Sequence, residues 1–181
     1  MRVVGGEYKG RVFKPGKNFK ARPTTDIAKE GLFNILNNRY DFSELKVLDL
    51  FAGTGSISYE FASRGSLDIT LVELNYNHLR FIHKVISELK ISSIKPVKGD
   101  VFRFIKKCAE SFDIVFADPP FDLPDLGDIP DILFSSTILK ERGVFILEHS
   151  KRASFNEHKY FLERRSYGNV CFSFFAPLKK S

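Results

Sequence analysis

No stretch of this sequence stays apolar for the ~18 residues that a membrane-spanning helix needs. No apolar segment follows the first basic residues either, so we expect neither a membrane anchor nor a secretory leader. Cysteine is scarce. Cys108 and Cys171 form no CxxC pair and no disulfide framework, which excludes a stapled secreted fold and points to a reducing, cytoplasmic setting. The four histidines, His78, His83, His149 and His158, lack metal-ligand spacing with one another and with the cysteines, so no metal is expected. We read them as structural, and the cysteines as small core residues. There is no internal repeat and no low-complexity tract. Tryptophan is absent, but 19 Phe and 6 Tyr stand within a hydrophobic fraction of 43%, which excludes disorder as the main state. The 181 residues are close to one domain of about 150, with room for an appendage.

Acid is nearly missing from the first 22 residues. Arg2, Lys9, Arg11, Lys14, Lys17, Lys20 and Arg22 face only Glu7, so this stretch carries as much charge as the whole chain, +6. A neutral body with a basic N-terminal extension suggests an anionic polymer as partner. Tyr8, Phe13 and Phe19 lie between the bases, an interleaving that suits stacking on nucleobases. We therefore divide the chain into a basic extension (1–22) that meets this polymer and a main domain (23–181).

Val3 to Gly6 and Arg11 to Phe13 read as a small hairpin-like element. Thr24 or Thr25 caps a helix that carries Ala28, Leu32, Ile35 and Leu36 at helical spacing to about Asn38. Strands and helices then alternate. Strands are expected at 47–50, 69–72, 94–98, 113–117 and 144–147, followed by two antiparallel strands (160–165 and 170–175) around a Tyr167-Gly168-Asn169 turn. The pattern implies an α/β fold with a mainly parallel sheet covered on both faces.

Phe51-Ala52-Gly53-Thr54-Gly55 follows the first of these strands and precedes a helix. Its glycines permit a tight turn and close approach of a ligand. Glu73 ends the next strand, 20 residues after Gly53, where a carboxylate can hold both ribose hydroxyls. Asp100 ends the third, where it can accept from an adenine amino group or simply cap the following helix. Dinucleotide binding does not fit, because Ser58 stands where that fingerprint has its third glycine. A nucleoside without pyrophosphate fits better. S-adenosylmethionine is such a ligand, and its ammonium would favour an acid such as Asp49. We assign Phe51, Ala52, Gly53, Thr54 and Gly55 to this cofactor, with the strand-end residues Asp49, Glu73, Leu74, Asp100, Val101 and Asp118.

Asp118-Pro119-Pro120-Phe121 follows a hydrophobic strand. The prolines cannot donate hydrogen bonds and stiffen the backbone, so nearby carbonyls are expected to accept. With the Asp118 carboxylate and the Phe121 ring they suit an exocyclic amine. Two acceptors would orient it for in-line attack on an electrophilic methyl, with rate coming from orientation and electrostatics. These four residues are the candidate catalytic group.

Taken in order, Asp49 to Gly55, Glu73, Asp100 and Asp118 to Phe121 resemble the motifs of class I S-adenosylmethionine-dependent methyltransferases that act on amino groups. Arg2-Val3-Val4-Gly5-Gly6, Gly10-Arg11, Arg22-Pro23-Thr24-Thr25-Asp26, Ser63-Arg64-Gly65 and Glu148-His149-Ser150 extend the likeness over nearly the whole chain, and to one family. The chain resembles the RsmD family, which methylates N2 of one guanine in small-subunit (16S) ribosomal RNA. The resemblance implies a Rossmann-like, seven-stranded sheet with an antiparallel last strand. It implies Gly53 and Gly55 at the methionine end, Glu73 at ribose, Asp100 at adenine, Asp118 at the target amine and Phe121 at the target base. Arg2, Lys9, Arg11, Lys14, Arg22, Thr24 and Thr25 are the candidate RNA contacts. The expected partner is this RNA, free or in an assembling subunit, met by a monomer. After Phe121 the chain turns acidic (Asp122, Asp125, Asp128, Asp131), so this loop is expected to act as a lid or to meet a basic protein rather than phosphate. The Asp-Pro-Pro-Phe run alone also fits adenine N6 in RNA or DNA, or a side-chain amide. A non-catalytic RNA-binding assembly factor is the alternative from another class.

Overall fold

A computed structural model describes residues 1–16, 24–120, 123–124 and 126–178. Twelve elements carry the fold: α1 (Asp26–Asn37), β1 (Lys46–Leu50), α2 (Ser56–Ser63), β2 (Asp68–Glu73), α3 (Tyr76–Leu89), β3 (Ile94–Lys98), α4 (Val101–Lys107), β4 (Phe112–Ala117), α5 (Ile129–Phe134), β5 (Leu139–Ser150), β6 (Phe161–Tyr167) and β7 (Val170–Phe175). Seven strands form one sheet in the order 3-2-1-4-5-7-6. Strands β1 to β5 run parallel, and β7 lies between β5 and β6, antiparallel to both. The expected architecture is borne out. The largest difference is β5, which runs through twelve residues rather than the apolar four that mark its core in the sequence. Hydrogen-bonded pairing carries the ladder past the apolar run, where hydropathy gives no signal.

Strand alternation sorts the core into two layers. Val47, Ile69, Leu71, Ile114, Phe116 and Ile146 face α1, α2 and α3, whereas Leu48, Leu50, Val72, Val115, Ala117 and Leu147 face α4 and α5. Helix α1 begins where Thr25 accepts the Ala28 N–H at 3.3 Å, and α3 where Asn75 accepts from Asn77 at 2.8 Å. Leu79, Ile82, Val85 and Leu89 keep α3 on the sheet.

Every residue of α2 is buried, including Glu60. A helix closed on all sides needs a cover, and the first thirteen residues supply it. They fold as a hairpin-like element with an antiparallel bridge from Arg2 to Val12. The Glu7 and Tyr8 N–H groups donate to the Ser63 carbonyl (2.7 Å) and hydroxyl (2.8 Å). Gly6 sits at φ 71°, where a Cβ would come within 1.8 Å of the Ser63 carbonyl, so only glycine fits this contact. Beneath lies a buried ion pair. Lys29 reaches the Glu60 carboxylate at 3.5 Å and also donates to the Arg2 carbonyl, while Glu60 accepts the Val4 N–H at 2.7 Å and pairs with Arg64. Each buried charge is paired and hydrogen-bonded, the condition under which burial is tolerated.

Candidate active site

The strand order reverses direction between β1 and β4, and a crevice opens at the carboxyl ends of the strands there. A cavity of about 770 Å³ fills it, lined by the loop after β1, the ends of β2 and β3, and the Asp118-Pro119-Pro120 segment. The loop is held in an uncommon backbone. Phe51, Gly53 and Gly55 take φ values of 59°, 55° and 76°. At Gly55 a Cβ would also meet the Tyr59 hydroxyl at 2.8 Å. Phe51 adopts the left-handed region without being glycine, a strain of order 1 kcal/mol that collects at functional sites. The Ala52 N–H donates to the Val72 carbonyl at 3.0 Å and so ties the loop to β2.

Glu73 joins two loops. Its carboxylate accepts the Gly53 N–H (2.8 Å) on one oxygen and the Asn75 N–H (2.7 Å) on the other. Each oxygen keeps a further lone pair, so the group can still take a pair of hydroxyls. Asp100 caps α4 by accepting the Arg103 N–H at 2.9 Å and also lines the cavity, so the capping and ligand roles are compatible. Phe51 and Phe102 pack edge to face at 6.1 Å, and with Val101, Leu74 and Leu123 they make an apolar wall suited to a flat heterocycle.

Asp49 lies deeper, 2% exposed, and accepts from the backbone N–H (3.2 Å) and hydroxyl (2.6 Å) of Ser58. Burial still pushes its carboxyl up to about 7. The residue at the absent third glycine therefore holds an acid in place. Nearby, the buried Ser56 hydroxyl has no hydrogen-bond partner among the described residues, and Ser56 lines the cavity from the first turn of α2. A polar orphan, a helix N-terminus, a double acceptor at Glu73 and an apolar wall together fit a ligand with an amino-acid end and a nucleoside end.

Across the switch point the environment differs. The Asp118 carboxyl accepts no hydrogen bond from any described residue. Desolvation, then the charges of Glu148 and Asp49, hold it well above the usual carboxylate range. Pro119 is buried and Pro120 exposed. The Pro120 carbonyl accepts the Leu123 N–H at 3.0 Å, so one of the acceptors expected from this motif is already engaged. Phe121 lies outside the described residues. Glu148, two residues before the end of β5, is 4% exposed, accepts the Thr24 hydroxyl at 2.7 Å, and is pushed up to about 7 by burial.

The basic candidates separate. Arg2, Lys9, Arg11 and Lys14 are exposed, and Arg2 pairs with Asp26 at 2.9 Å. Arg22 lies outside the described residues, as do Lys17, Phe19 and Lys20. Tyr8 and Phe13, expected as stacking surfaces, instead rest half-buried against the core. Thr24 is buried against Glu148, and Thr25 is engaged as the cap of α1. Glu148, Ser58, Phe102 and His78, none of them among the predicted site residues, also stand at or beside the cavity. Glu148 could have been found by the rule that found the others, since it too is an acid at a strand's carboxyl end. Among the described residues no helix is long and apolar enough to cross a membrane, and no group of three His, Cys, Asp or Glu residues could hold a metal.

This strand order, with a single antiparallel strand and a crevice at its switch point, is that of a class I methyltransferase. A solved structure of a hypothetical protein from Thermus thermophilus superposes with a TM-score of 0.86 at 27% identity, over 97% of this chain and 99% of that one. A family model described as conserved hypothetical protein 95 matches residues 1–176, and the chain belongs to that family. It is 32% identical over 155 residues to ribosomal RNA small subunit methyltransferase D of Haemophilus influenzae, spanning 83% of this chain and 79% of the relative. To the protein of the same name from Escherichia coli K12 it is 29% identical over 148 residues, spanning 82% and 74%. The resemblance drawn from the motifs is borne out.

Proposed function

We propose that the chain transfers a methyl group from S-adenosyl-L-methionine to the exocyclic N2 of a guanine in small-subunit ribosomal RNA, as a cytoplasmic monomer. Asp118 carries this reading: a half-buried, desolvated carboxyl with no donor among the described residues, lining a cavity that fits an adenosine-bearing ligand. Family membership supports the substrate, since relatives bear the name ribosomal RNA small subunit methyltransferase D.

When bound, the cofactor supplies an electrophilic methyl and a sulfonium charge, the latter favouring ionised Asp118 and Asp49. Glu73 holds the ribose, Asp100 and the Phe51–Phe102 wall hold the adenine, and the 53–55 loop and the first turn of α2 hold the amino-acid end. Asp118 accepts one N–H of the target amine, and a carbonyl of the rigid proline segment accepts the other. This aligns the nitrogen lone pair and enriches it in electron density. As nitrogen acquires its fourth bond, the N–H proton facing Asp118 is positioned to leave to that carboxylate, which burial makes a stronger base than usual. Phe121 supplies a ring for the base. Arg2, Lys9, Arg11, Lys14 and Arg22 hold the backbone while the nucleotide is drawn from its stack.

The test is incubation with labelled S-adenosylmethionine and either small subunits or free small-subunit RNA from cells lacking such an enzyme, followed by nucleoside mass spectrometry. Label in N2-methylguanosine is expected. Label in N6-methyladenosine, or none, overturns the substrate assignment.

A further inference from the structure

Glu148 has no role in the chemistry above, yet it is among the most deeply placed acids of the molecule. Its position is set by the sheet. Ala117 of β4 pairs with Leu147 of β5, so Asp118 and Glu148, each one residue further on, stand side by side on neighbouring strands. Adjacent strands lie about 4.8 Å apart. Alternation turns both toward the α1 side, with Phe116 and Ile146. Glu148 is 4% exposed, and its Oε2 accepts the Thr24 hydroxyl at 2.7 Å. Oε1 accepts nothing from any described residue.

That side chain also borders a second cavity. It measures about 790 Å³ and is lined by Glu148 with Thr25, Ser150, Arg152, Tyr167 and Asn169 among others. Thr24 lines the first cavity and Glu148 the second, so their hydrogen bond marks the place where the two adjoin. Glu148 borders the second cavity and Asp118 the first, so a base set across their junction would meet both acids.

Two carboxylates side by side ask for two adjacent donors. Guanine offers them on one edge, N1–H next to the N2 amine. Adenine has a bare acceptor at N1, which a carboxylate repels, and cytosine has one at N3. Building on the guanine-N2 reading, we propose that Glu148 is the specificity-determining residue. Its Oε1 accepts the N1–H of the target guanine while Asp118 takes the neighbouring N2–H. The Thr24 hydroxyl holds Oε2 and leaves Oε1 facing the base. Selection against adenine then comes from the ionised Glu148, whose charge the wrong base leaves unpaired, and it requires a pH above about 7, where that carboxyl has lost its proton.

The test replaces the target guanine by 2-aminopurine, which keeps the 2-amino group but has a bare nitrogen at N1. Mass spectrometry of wild-type product first locates the modified guanine. If no N2-methylguanosine forms there, the functional reading fails before Glu148 is addressed. With RNA carrying either base at that site, the wild-type enzyme should favour guanine in kcat/KM by about tenfold to a hundredfold, the usual range for one hydrogen bond to a buried charge. Equal rates on the two bases overturn the proposal without any variant. Glu148→Gln can donate to the bare nitrogen, so it should reverse the preference, losing on guanine and gaining on 2-aminopurine. Cofactor affinity, measured by calorimetry with S-adenosylhomocysteine, should stay unchanged. A variant that loses equally on both bases would make Glu148 a structural residue and overturn the assignment. Thr24→Val should weaken the wild-type preference without reversing it, and an unaltered preference counts against the anchoring role.

Discussion

The two halves of the crevice treat their acids in opposite ways. At the ends of β2 and β3 the carboxylates are supplied by the protein itself: Glu73 holds the N–H groups of Gly53 and Asn75, and Asp100 holds that of Arg103. At the ends of β4 and β5 donors are few. Asp118 accepts none from the described residues, Glu148 accepts one hydroxyl, and burial raises the proton affinity of both. The first half is a preorganised frame, ready to hold a ligand before it arrives. The second is a pair of underused acceptors whose missing donors, on the proposed function, come from the substrate. A methyltransferase needs both, because its cofactor must be held firmly while the acceptor amine must be gripped only when it is to react.

The contrast can be broken most directly at Asp118. Asp118→Ala should lower methyl transfer roughly a thousandfold or more while leaving cofactor affinity within a fewfold of wild type, as rate assays and calorimetry will show. If transfer persists, the acceptor half has no chemical role. The next test is pH. Asp49 binds its proton more tightly folded, near 7, than at its ordinary 3.8, so the fold holds extra protons between these values. Stability without cofactor is therefore lost as pH rises from about 4 to 7, by about 4 kcal/mol from Asp49, and Glu148 adds in the same direction. Urea melts of Asp49→Asn should lose the share of that slope due to Asp49 and keep the shares of Glu148 and Asp118, and an unchanged slope would show that Asp49 is not a strained acid. Glu73→Ala sharpens the other half. Cofactor affinity should fall roughly tenfold to a hundredfold, with kcat at saturating cofactor largely kept. A collapse of kcat instead would merge the two halves. The smallest effect is expected outside both. Changing Lys9, Arg11 and Lys14 together to Ala should weaken RNA binding several-fold and reduce its salt slope by about 2, with cofactor affinity unmoved. An unchanged slope in filter-binding measurements would remove these residues from the RNA interface.

Much of the frame was legible in the sequence because it is local. The glycine loop, the acids at strand ends and the helix caps all depend on neighbours a few residues away. What escaped depends on distance along the chain. Thr24 and Glu148 are 124 residues apart, and Val4 and Glu60 are 56 apart, so no window on the sequence brings either pair together. Helix α2 reads as amphipathic, with Ile57 and Phe61 inward, until the N-terminal hairpin closes over its polar face. Lys29, a cation on α1, is buried by its pairing with Glu60, 31 residues away. Ser58 appeared only as a missing glycine, because its partner Asp49 lies on another element.

The position of β7 has a consequence for how the molecule is made. This strand, late in the chain, fills the gap between β5 and β6, which precede it. During synthesis β1 to β4 can associate as soon as they emerge, whereas β5 keeps an unpaired edge until residues 170–175 are free of the ribosome. A chain that stops short of them would display an open strand of up to twelve residues, an invitation to aggregate. Glu148, opposite Phe172 in that register, is thus secured only once β7 has emerged, so a nascent chain would acquire its cofactor frame before the acid proposed to choose the base.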